Sequence, residues 1–381
     1  MAKLIGELRP VYVVGIGWHR YQYATENSYI ELGVTAIRQA LADAGIEWEA
    51  VESSYVATAR LGMAPGRPML GKLGNKGAPL VHIDNASASG SAAFRAACIE
   101  VASGISDCVL AVGVDKPQKG GPTYRAPSGI PDLAGDAILP FTHFALLTNG
   151  YVHKHKVDAD DIALIAVKNH NNGALNPNAQ RQQSRTLEEV VSGRKIAGTL
   201  TALQCTPVGE GGAAVIVCSE DGIKSLGINA GRAVRVASSV GASEGFGDAL
   251  NVDSSLSSLT MNRAIAQAGI KPADLDIIEL HDAFTIEEAL YAEASGVCES
   301  GEFVPLLKEG AFDIGGRCAI SPSGGLIAMG HPLGPTGIGQ VAEIALQLRG
   351  EAGARQQPNA RHGLAHMVGI GSVSYVHVLA K

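Results

Sequence analysis

Apolar residues in the first third of the chain follow two kinds of pattern. Residues 11–16 and 108–114 are continuous apolar runs of strand length, and 51–59 reads as a further strand. Residues 30–44 instead place apolar side chains at helical spacing and stop at Gly45, a residue that commonly ends helices. Strands that are apolar on both faces and alternate with helices are typical of a parallel sheet covered on both sides. The pattern predicts an α/β fold.

The same order of elements returns in the second half of the chain. Strands are predicted at 233–239 and 275–280, with a helix at 261–268 between them. In both halves a helix runs into the tripeptide Ala-Gly-Ile and then into a strand. A repeated order of this kind indicates duplication of one α/β unit. We therefore predict an N-terminal half at 1–232 and a C-terminal half at 233–381.

The stretch at about 116–204 breaks this rhythm. It is rich in Gly, Pro, Asn and Gln, and it contains one apolar helical piece at 144–151. Long irregular segments inside an ordered domain commonly carry binding loops. We interpret this stretch as a loop region inserted into the N-terminal half.

Composition and charge exclude several function classes. The 381 residues are 46% hydrophobic and carry a net charge of −7, without a Lys/Arg block that would favour nucleic acid or a membrane surface. No apolar run approaches the roughly 20 residues that cross a bilayer, and the first residues do not read as a signal peptide. Six cysteines without a C-x-x-C pair predict buried free thiols in a reducing compartment. We expect a cytoplasmic protein.

A metal site is not predicted. His153 and His155 lie close together in sequence, but no third ligand follows at a fitting spacing.

Residues 84–93 are the first candidate for chemistry. A predicted strand at 80–83 ends there, and a helix of small residues begins at or near Ser87. A side chain at a helix N-terminus lies at the positive end of the helix dipole, which suits a nucleophile and a developing oxyanion. The structural alternative is that Ser87 only caps the helix.

Two histidines and a glycine-rich turn are the remaining candidates. His281 lies where a predicted strand meets a helix, and the alternative to a chemical role is a bond to neighbouring Asp282. His331 lies within 324–337, a segment with five glycines, and the alternative there is a structural turn. Gly369 lies between two apolar strands, where a bend could turn its amide towards a ligand.

Five motifs occur in order along the chain. They are Ser87-Ala88-Ser89-Gly90; Lys168-Asn169-His170 with Asn172, followed by Asn176-Pro177; Gly211-Gly212-Ala213-Ala214; His281-Asp282-Ala283-Phe284; and Gly330-His331-Pro332-Leu333-Gly334-Pro335-Thr336-Gly337. Taken together, these motifs resemble the thiolase superfamily, specifically its sterol-carrier-protein-2 thiolase-like (acetyl-CoA acetyltransferase-like) branch. The resemblance covers nearly the whole chain, and the family has cysteine where this chain has Ser87.

The resemblance implies a thiolase-like fold, in which two duplicated βαβαβαββ halves stack in five α-β-α-β-α layers. It implies an enzyme of lipid metabolism that cleaves or forms a carbon–carbon bond in a 3-oxoacyl-CoA, with coenzyme A as substrate or acyl carrier. It also implies a homodimer and, in this branch, a small zinc-ribbon/OB-fold companion subunit. It assigns no individual residues to CoA binding.

The resemblance also implies roles for four residues. Ser87 falls on the position that accepts the acyl group, and His331 on the histidine that activates it. His281 falls beside the reacting carbonyl, where it polarises the oxygen and relays protons. The amide of Gly369 joins the amide of Ser87 in an oxyanion hole.

Serine in place of cysteine leaves three explanations open. Ser87 is a natural serine nucleophile, or a Cys→Ser change in an ordinary thiolase, or a sign that the enzyme uses non-covalent carbon–carbon chemistry. The last case corresponds to retro-aldolases that act on 3-hydroxyacyl-CoA and resemble this branch. Tyrosines replace the two histidines in those aldolases, so His281 and His331 favour acyl transfer. A non-catalytic subunit that binds acyl-CoA is the remaining alternative.

Overall fold

The computed structural model describes residues 4–117, 141–245, 252–369 and 373–381. The strands within these ranges are β1 (Val11–Gln22), β2 (Ser53–Ala57), β3 (Leu80–Ile83), β4 (Cys108–Asp115), β5 (Lys195–Ala197), β6 (Leu200–Thr201), β7 (Glu210–Ser219), β8 (Val234–Ser243), β9 (Ile277–Glu279), β10 (Ala319–Ile320), β11 (His362–Gly369) and β12 (Val373–Ala380).

The α-helices within the same ranges lie singly or in groups between these strands. They are α1 (Tyr29–Ala44), α2 (Gly66–Leu70), α3 (Ser89–Ser103), α4 (Phe141–His155), α5 (Ala159–Ala174), α6 (Leu187–Val191), α7 (Glu220–Ser225), α8 (Val252–Ala268), α9 (Thr285–Ser295), α10 (Phe303–Lys308), α11 (Gly325–Ala328) and α12 (Leu333–Leu348). The α/β class predicted from the sequence is confirmed.

Two sets of five strands repeat one pairing pattern. In the first set β1–β7 and β7–β4 are antiparallel, whereas β4–β2 and β2–β3 are parallel. In the second set β8–β12 and β12–β11 are antiparallel, whereas β11–β9 and β9–β10 are parallel. A short pairing of β1 with β8 joins the two sets. The division of the chain at 232/233 stays a prediction, and β8 begins just after it.

The parallel sheet that the apolar pattern favours is found only in part, since each set combines parallel and antiparallel pairs. Only residues 370–372 separate β11 from β12, and so short a link joins antiparallel neighbours. A parallel pair would need a crossover of about a dozen residues or more. Apolar runs show that a strand is buried, but not the direction of its neighbours.

The layers place α3 and α12 at the centre of the molecule. Both helices contact strands of both sets, and they contact each other. A side chain at Gly90 would bring its Cβ within 2.5 Å of the Gly334 carbonyl oxygen, so only glycine allows this crossing. Helix α1 covers the first set and α8 covers the second. The result is five α-β-α-β-α layers, with the N-termini of α3 and α12 side by side.

The inserted region contains more helix than the sequence pattern predicts. The apolar piece at 144–151 is part of α4, but the pattern gives no signal for α5. Helix α5 buries Lys168 and Asn169 along with its apolar residues, and these polar positions hide the apolar period. Because α5 packs against α9 and α11, the insertion lies directly beside the candidate site.

Candidate active site

Ser87 lies in a tight turn between β3 and α3. Ala86 has a φ of +51°, in the left-handed region that costs energy for a residue with a Cβ. The Ala88 amide donates to the Asn85 carbonyl at 3.0 Å, which closes the turn. Helix α3 begins only at Ser89, with Ala88 as its N-cap residue. The alternative that Ser87 caps the helix is therefore wrong, because its hydroxyl is engaged elsewhere.

The Ser87 hydroxyl contacts His331, which lies just before α12 in the other half of the chain. Nε2 of His331 lies 3.0 Å from Oγ of Ser87, and Nδ1 lies 2.9 Å from Oγ1 of Thr336. The Thr336 hydroxyl donates its proton to the Pro332 carbonyl at 2.6 Å, so towards His331 it can only accept. Nδ1 of His331 therefore carries the ring proton, and Nε2 presents a lone pair to the Ser87 hydroxyl.

The environment keeps His331 uncharged. Burial lowers the pKa of His331 well below its usual range, and electrostatic interactions with His281 and Arg60 lower it further. A neutral imidazole with a free Nε2 is the form that accepts a proton from a serine hydroxyl.

Asp115 fixes the start of α12, the helix that follows His331. Its carboxylate accepts from the Gly334 amide at 2.6 Å and from the Thr58 hydroxyl at 2.6 Å. It also accepts from the amide of Arg60 at 2.9 Å. Burial raises the pKa of Asp115, against the lowering effect of these hydrogen bonds. The end of β4 is thereby connected to the end of β2 and to the N-terminus of α12.

His281 lies beside His331. The two ring centroids are 5.4 Å apart and the rings are nearly perpendicular, at 87°. Nδ1 of His281 lies 2.9 Å from Oε1 of Glu287, and Nε2 is buried without a hydrogen-bond partner among the described residues. The alternative in which Asp282 satisfies His281 is wrong. Asp282 instead accepts from the Leu326 amide at 2.7 Å.

A buried polar network holds the segment that carries His281 against the inserted region. The side-chain amide of Asn169 on α5 donates to Asp282 at 2.7 Å and to Glu288 at 2.8 Å. Lys168 pairs with Glu288 at 3.0 Å. Burial and the charge of Glu288 raise the pKa of Asp282 well above its usual range. These contacts link the position of α5 to the position of His281.

Gly369 lies against the Ser87 turn, at the end of β11. A Cβ added to Gly369 would collide with the Asn85 carbonyl and lie 3.2 Å from the Cβ of Ala88. The structure thus brings Gly369 together with Ser87, His331 and His281. The oxyanion role of its amide stays a prediction.

Thr336, Glu287 and Asp115 complete this arrangement, and sequence reasoning did not single them out. Thr336 lies inside the glycine-rich motif of His331, so its proximity could have been read from the spacing. Glu287 occupies the third position of α9, where an acidic residue reads as helix capping. Asp115 carries no local signal, because its partners come from distant segments.

Other candidates lie apart from this arrangement. His170 on α5 bonds to the Leu203 carbonyl at 3.1 Å and is part of the packing. Within the described ranges, no three His, Cys, Asp or Glu side chains come together as a metal site requires. All six cysteines are buried and unpaired, as predicted. Among the described helices, none is long and apolar enough to cross a bilayer. The cytoplasmic location stays a prediction.

Comparisons with known proteins agree with this architecture. Residues 20–191 match the family described as the thiolase N-terminal domain, and residues 252–381 match the thiolase C-terminal domain-like family. Sterol carrier protein 2 of Gallus gallus is 36% identical over 398 residues, covering 98% of this chain and 72% of that protein. The benzoylsuccinyl-CoA thiolase subunit BbsB of Thauera aromatica is 33% identical, covering 95% of each chain.

A solved structure gives a further comparison. The Ltp2–ChsH2(DUF35) aldolase superposes with a TM-score of 0.85 at 22% identity, covering 97% of each chain, a likeness that concerns the fold alone. Two observations support a family assignment. The sequence identity to the relatives exceeds 30%, and the two family matches span most of the sequence. The chain belongs to the thiolase family.

Proposed function

We propose that this chain is a thiolase-type acyltransferase that cleaves or forms the C2–C3 bond of a 3-oxoacyl-CoA, with Ser87 as the acyl acceptor. The observation that carries the proposal is the Ser87–His331–Thr336 chain of hydrogen bonds. It fixes the tautomer in which Nε2 of His331 accepts the serine proton. A serine has no accessible anionic form at neutral pH, so it needs such a base at the moment of attack.

In the cleavage direction, Oγ of Ser87 attacks the C3 carbonyl while His331 takes the hydroxyl proton. The C2–C3 bond then breaks, C2 keeps the electron pair, and a proton from His281 completes acetyl-CoA. The acyl group remains on Ser87 as an ester. The thiol of a second CoA attacks this ester and gives its proton to His281, which the preceding step left neutral, while the proton held by His331 restores the serine hydroxyl. In the condensation direction, Nε2 of His281 removes a proton from C2.

The oxyanion of each tetrahedral intermediate is proposed to bind the amides of Ser87 and Gly369. Two features support this assignment. Ser87 directly precedes the N-terminus of α3, where the helix dipole favours negative charge. Gly369 has no room for a side chain beside the Ser87 turn, so its backbone approaches the nucleophile closely.

A second histidine favours carbon–carbon chemistry over simple acyl transfer. Nε2 of His331 is hydrogen-bonded to Ser87, whereas Nε2 of His281 has no partner among the described residues and lies in the same site. Moving an acyl group between two nucleophiles needs one base, but making or breaking a bond at C2 also needs a proton donor or acceptor there. Retro-aldol cleavage of a 3-hydroxyacyl-CoA is the second candidate, and it would leave Ser87 unmodified.

The proposal includes partners. BbsB is named as a subunit, and the Ltp2 aldolase is named together with ChsH2(DUF35), which supports a separate companion subunit of the zinc-ribbon/OB-fold kind. A homodimer is proposed as well. Strand β3 lies at one edge of the sheet with Val81 41% exposed, and such an edge offers unpaired backbone groups to a second chain. Co-expression and size-exclusion chromatography test both contacts.

The direct test compares the chain with its Ser87→Cys variant, each with any co-encoded companion present. Both are incubated with acetoacetyl-CoA and bulkier 3-oxoacyl-CoAs, and intact mass is recorded. The expected result is an acyl adduct at residue 87 and, when CoA is added, two thioester products. Cleavage of a 3-hydroxyacyl-CoA to a carbonyl product, without an adduct or free CoA, would replace the thiolase by the aldolase. Tight acyl-CoA binding without turnover in either form would indicate a non-catalytic subunit.

A further inference from the structure

We propose that Glu287 is the positioning residue that holds His281 for proton transfer at C2 of the substrate. This inference rests on the proposed function and adds to it the group that supports the second histidine. Neither the sequence motifs nor the comparisons assign a role to Glu287.

The carboxylate of Glu287 lies between backbone and imidazole. It is 1% exposed, in the first turn of α9. Its Oε2 accepts from the Phe284 amide at 2.9 Å, and its Oε1 accepts from the Tyr291 hydroxyl at 3.3 Å. The Phe284 contact fixes the side chain at the start of the helix. Oε1 is thereby held 2.9 Å from Nδ1 of His281.

These contacts determine which ring nitrogen of His281 is available. An amide and a hydroxyl both donate to Glu287, so the carboxylate acts as acceptor and Nδ1 of His281 donates to it. A neutral His281 therefore has its lone pair on Nε2. That atom is buried, and no hydrogen bond to it is found in the described part of the chain. Nε2 of His281 thus has an unused hydrogen-bonding capacity beside the ring of His331, where a substrate group can interact with it.

The proton step at C2 uses this arrangement in both directions. In condensation, Nε2 takes a proton from C2 of acetyl-CoA, the electron pair stays on C2, and the imidazolium lies against the Glu287 carboxylate. In cleavage, the same Nε2–H returns the proton to C2 after the C2–C3 bond breaks. Acylation of Ser87 uses His331 and does not pass through His281. Glu287 should therefore affect proton transfer at C2 but not acylation of Ser87.

The test uses Glu287→Gln, which keeps the size of the side chain and removes its charge. Two rates are measured on the same preparation: deuterium exchange at C2 of acetyl-CoA in D2O, and acylation of Ser87 by acyl-CoA, followed by intact mass and free CoA. We expect exchange to fall about tenfold or more, since a positioned acid–base group contributes at least that much. Acylation should be unchanged. An equal loss in both rates would mean a merely structural role and overturn the proposal.

A double-mutant cycle with His281→Asn tests whether Glu287 acts through His281. If it does, adding Glu287→Gln to His281→Asn lowers the exchange rate no further. A multiplicative loss in the double variant overturns the assignment. The matched control is Glu293→Gln, the same change on the same helix. Glu293 bonds to the Tyr151 hydroxyl, away from the site, and both rates should stay at the wild-type value.

The wild-type protein separates this inference from the proposed function. If it exchanges C2 protons but never acylates Ser87, the acyl-transfer mechanism is wrong, and the exchange data still decide the role of Glu287. If it acylates Ser87 without any exchange at C2, the mechanism of acyl transfer stands and the proposal for Glu287 is overturned. If it does neither, both fail.

Discussion

The N-termini of α3 and α12 occupy equivalent places in the two halves, yet one presents the proposed nucleophile Ser87 and the other the proposed base His331. Helix α3 lies between β3 and β4, and α12 lies between β10 and β11. Residues 84–88 join strand to helix by one tight turn, whereas residues 321–332 pass through α11 first. The scaffold supplies two helix starts that face each other. The length and bracing of each connection decide which side chain reaches the shared centre.

The two connections also differ in how they are held. The Ser87 turn is held mainly by groups close in sequence: the Ala86 amide donates to Asp84 at 2.9 Å, and the Asn85 amide donates to the Ser89 hydroxyl at 2.8 Å. The His331 segment also depends on a distant side chain, since Asp115 accepts from the Gly334 amide at the start of α12. We therefore expect the position of His331 to respond to substitutions far away in sequence as well as to nearby ones.

Removing either reacting group should have the largest effect. Ser87→Ala and His331→Ala should each lower the rate of acyl transfer by about 10³-fold or more, because a nucleophile and its base act as one unit. The double variant should be no slower than the slower single variant. Initial rates with a cleaved 3-oxoacyl-CoA check this, and a product of the two single losses would show that they act independently.

Thr336→Val should have an intermediate effect. Valine keeps the shape of threonine but offers Nδ1 of His331 no acceptor, so the ring can adopt the tautomer that turns a proton towards Ser87. We expect the acylation rate to fall about 10-fold to 100-fold while the folded structure remains. Thr336→Ser, which restores the hydroxyl, should recover most of the rate. A serine variant as slow as the valine variant would contradict the role of the hydroxyl.

Asp115→Asn should affect stability before it affects chemistry. The amide replaces one acceptor oxygen by a donor, opposite amides and a hydroxyl that themselves donate. Leaving a buried donor unsatisfied costs about 1–3 kcal/mol, which urea unfolding measures as a lower midpoint. The acylation rate should fall less than for Thr336→Val. A wild-type midpoint would show that Asp115 does not brace α12.

The smallest expected effect is on the acid side of the pH profile. His331 acts as a base only when neutral, and burial holds its pKa well below the usual value of 6.5. As the pH falls through 6.5, His331 stays unprotonated, so the acylation rate should remain level and decline only at lower pH. Single-turnover acylation across this range checks the sign. A midpoint of decline at the ordinary histidine pKa would mean that His331 is more exposed to solvent during reaction.

The sequence predicts the strands and helices that carry the site better than the contacts between them. Strands β3 and β4 and helix α1 lie within a residue or two of the predicted positions, because apolar runs and a helix-ending glycine mark them. Ser87 lies against His331, His331 against His281, and Gly369 against the Ser87 turn, whereas the roles that the resemblance implies for them stay predictions. The antiparallel pairings and the contacts of Asp115 depend on partners far away in sequence. Glu287 has its partners within six residues, but an acidic residue in the first turn of a helix reads as a helix cap. A local sequence pattern does not reveal contacts between residues that lie far apart in the chain.

The backbone at Gly90 packs directly against the Gly334 carbonyl, so main-chain packing sets the spacing between Ser87 and His331. Side chains repack when their neighbours change, whereas two main chains already in contact have no room to adjust. Under the proposed function, substitutions in the inserted region would alter the choice of acyl group without moving Ser87 and His331. The evolution of substrate choice would then be separate from the preservation of the reaction.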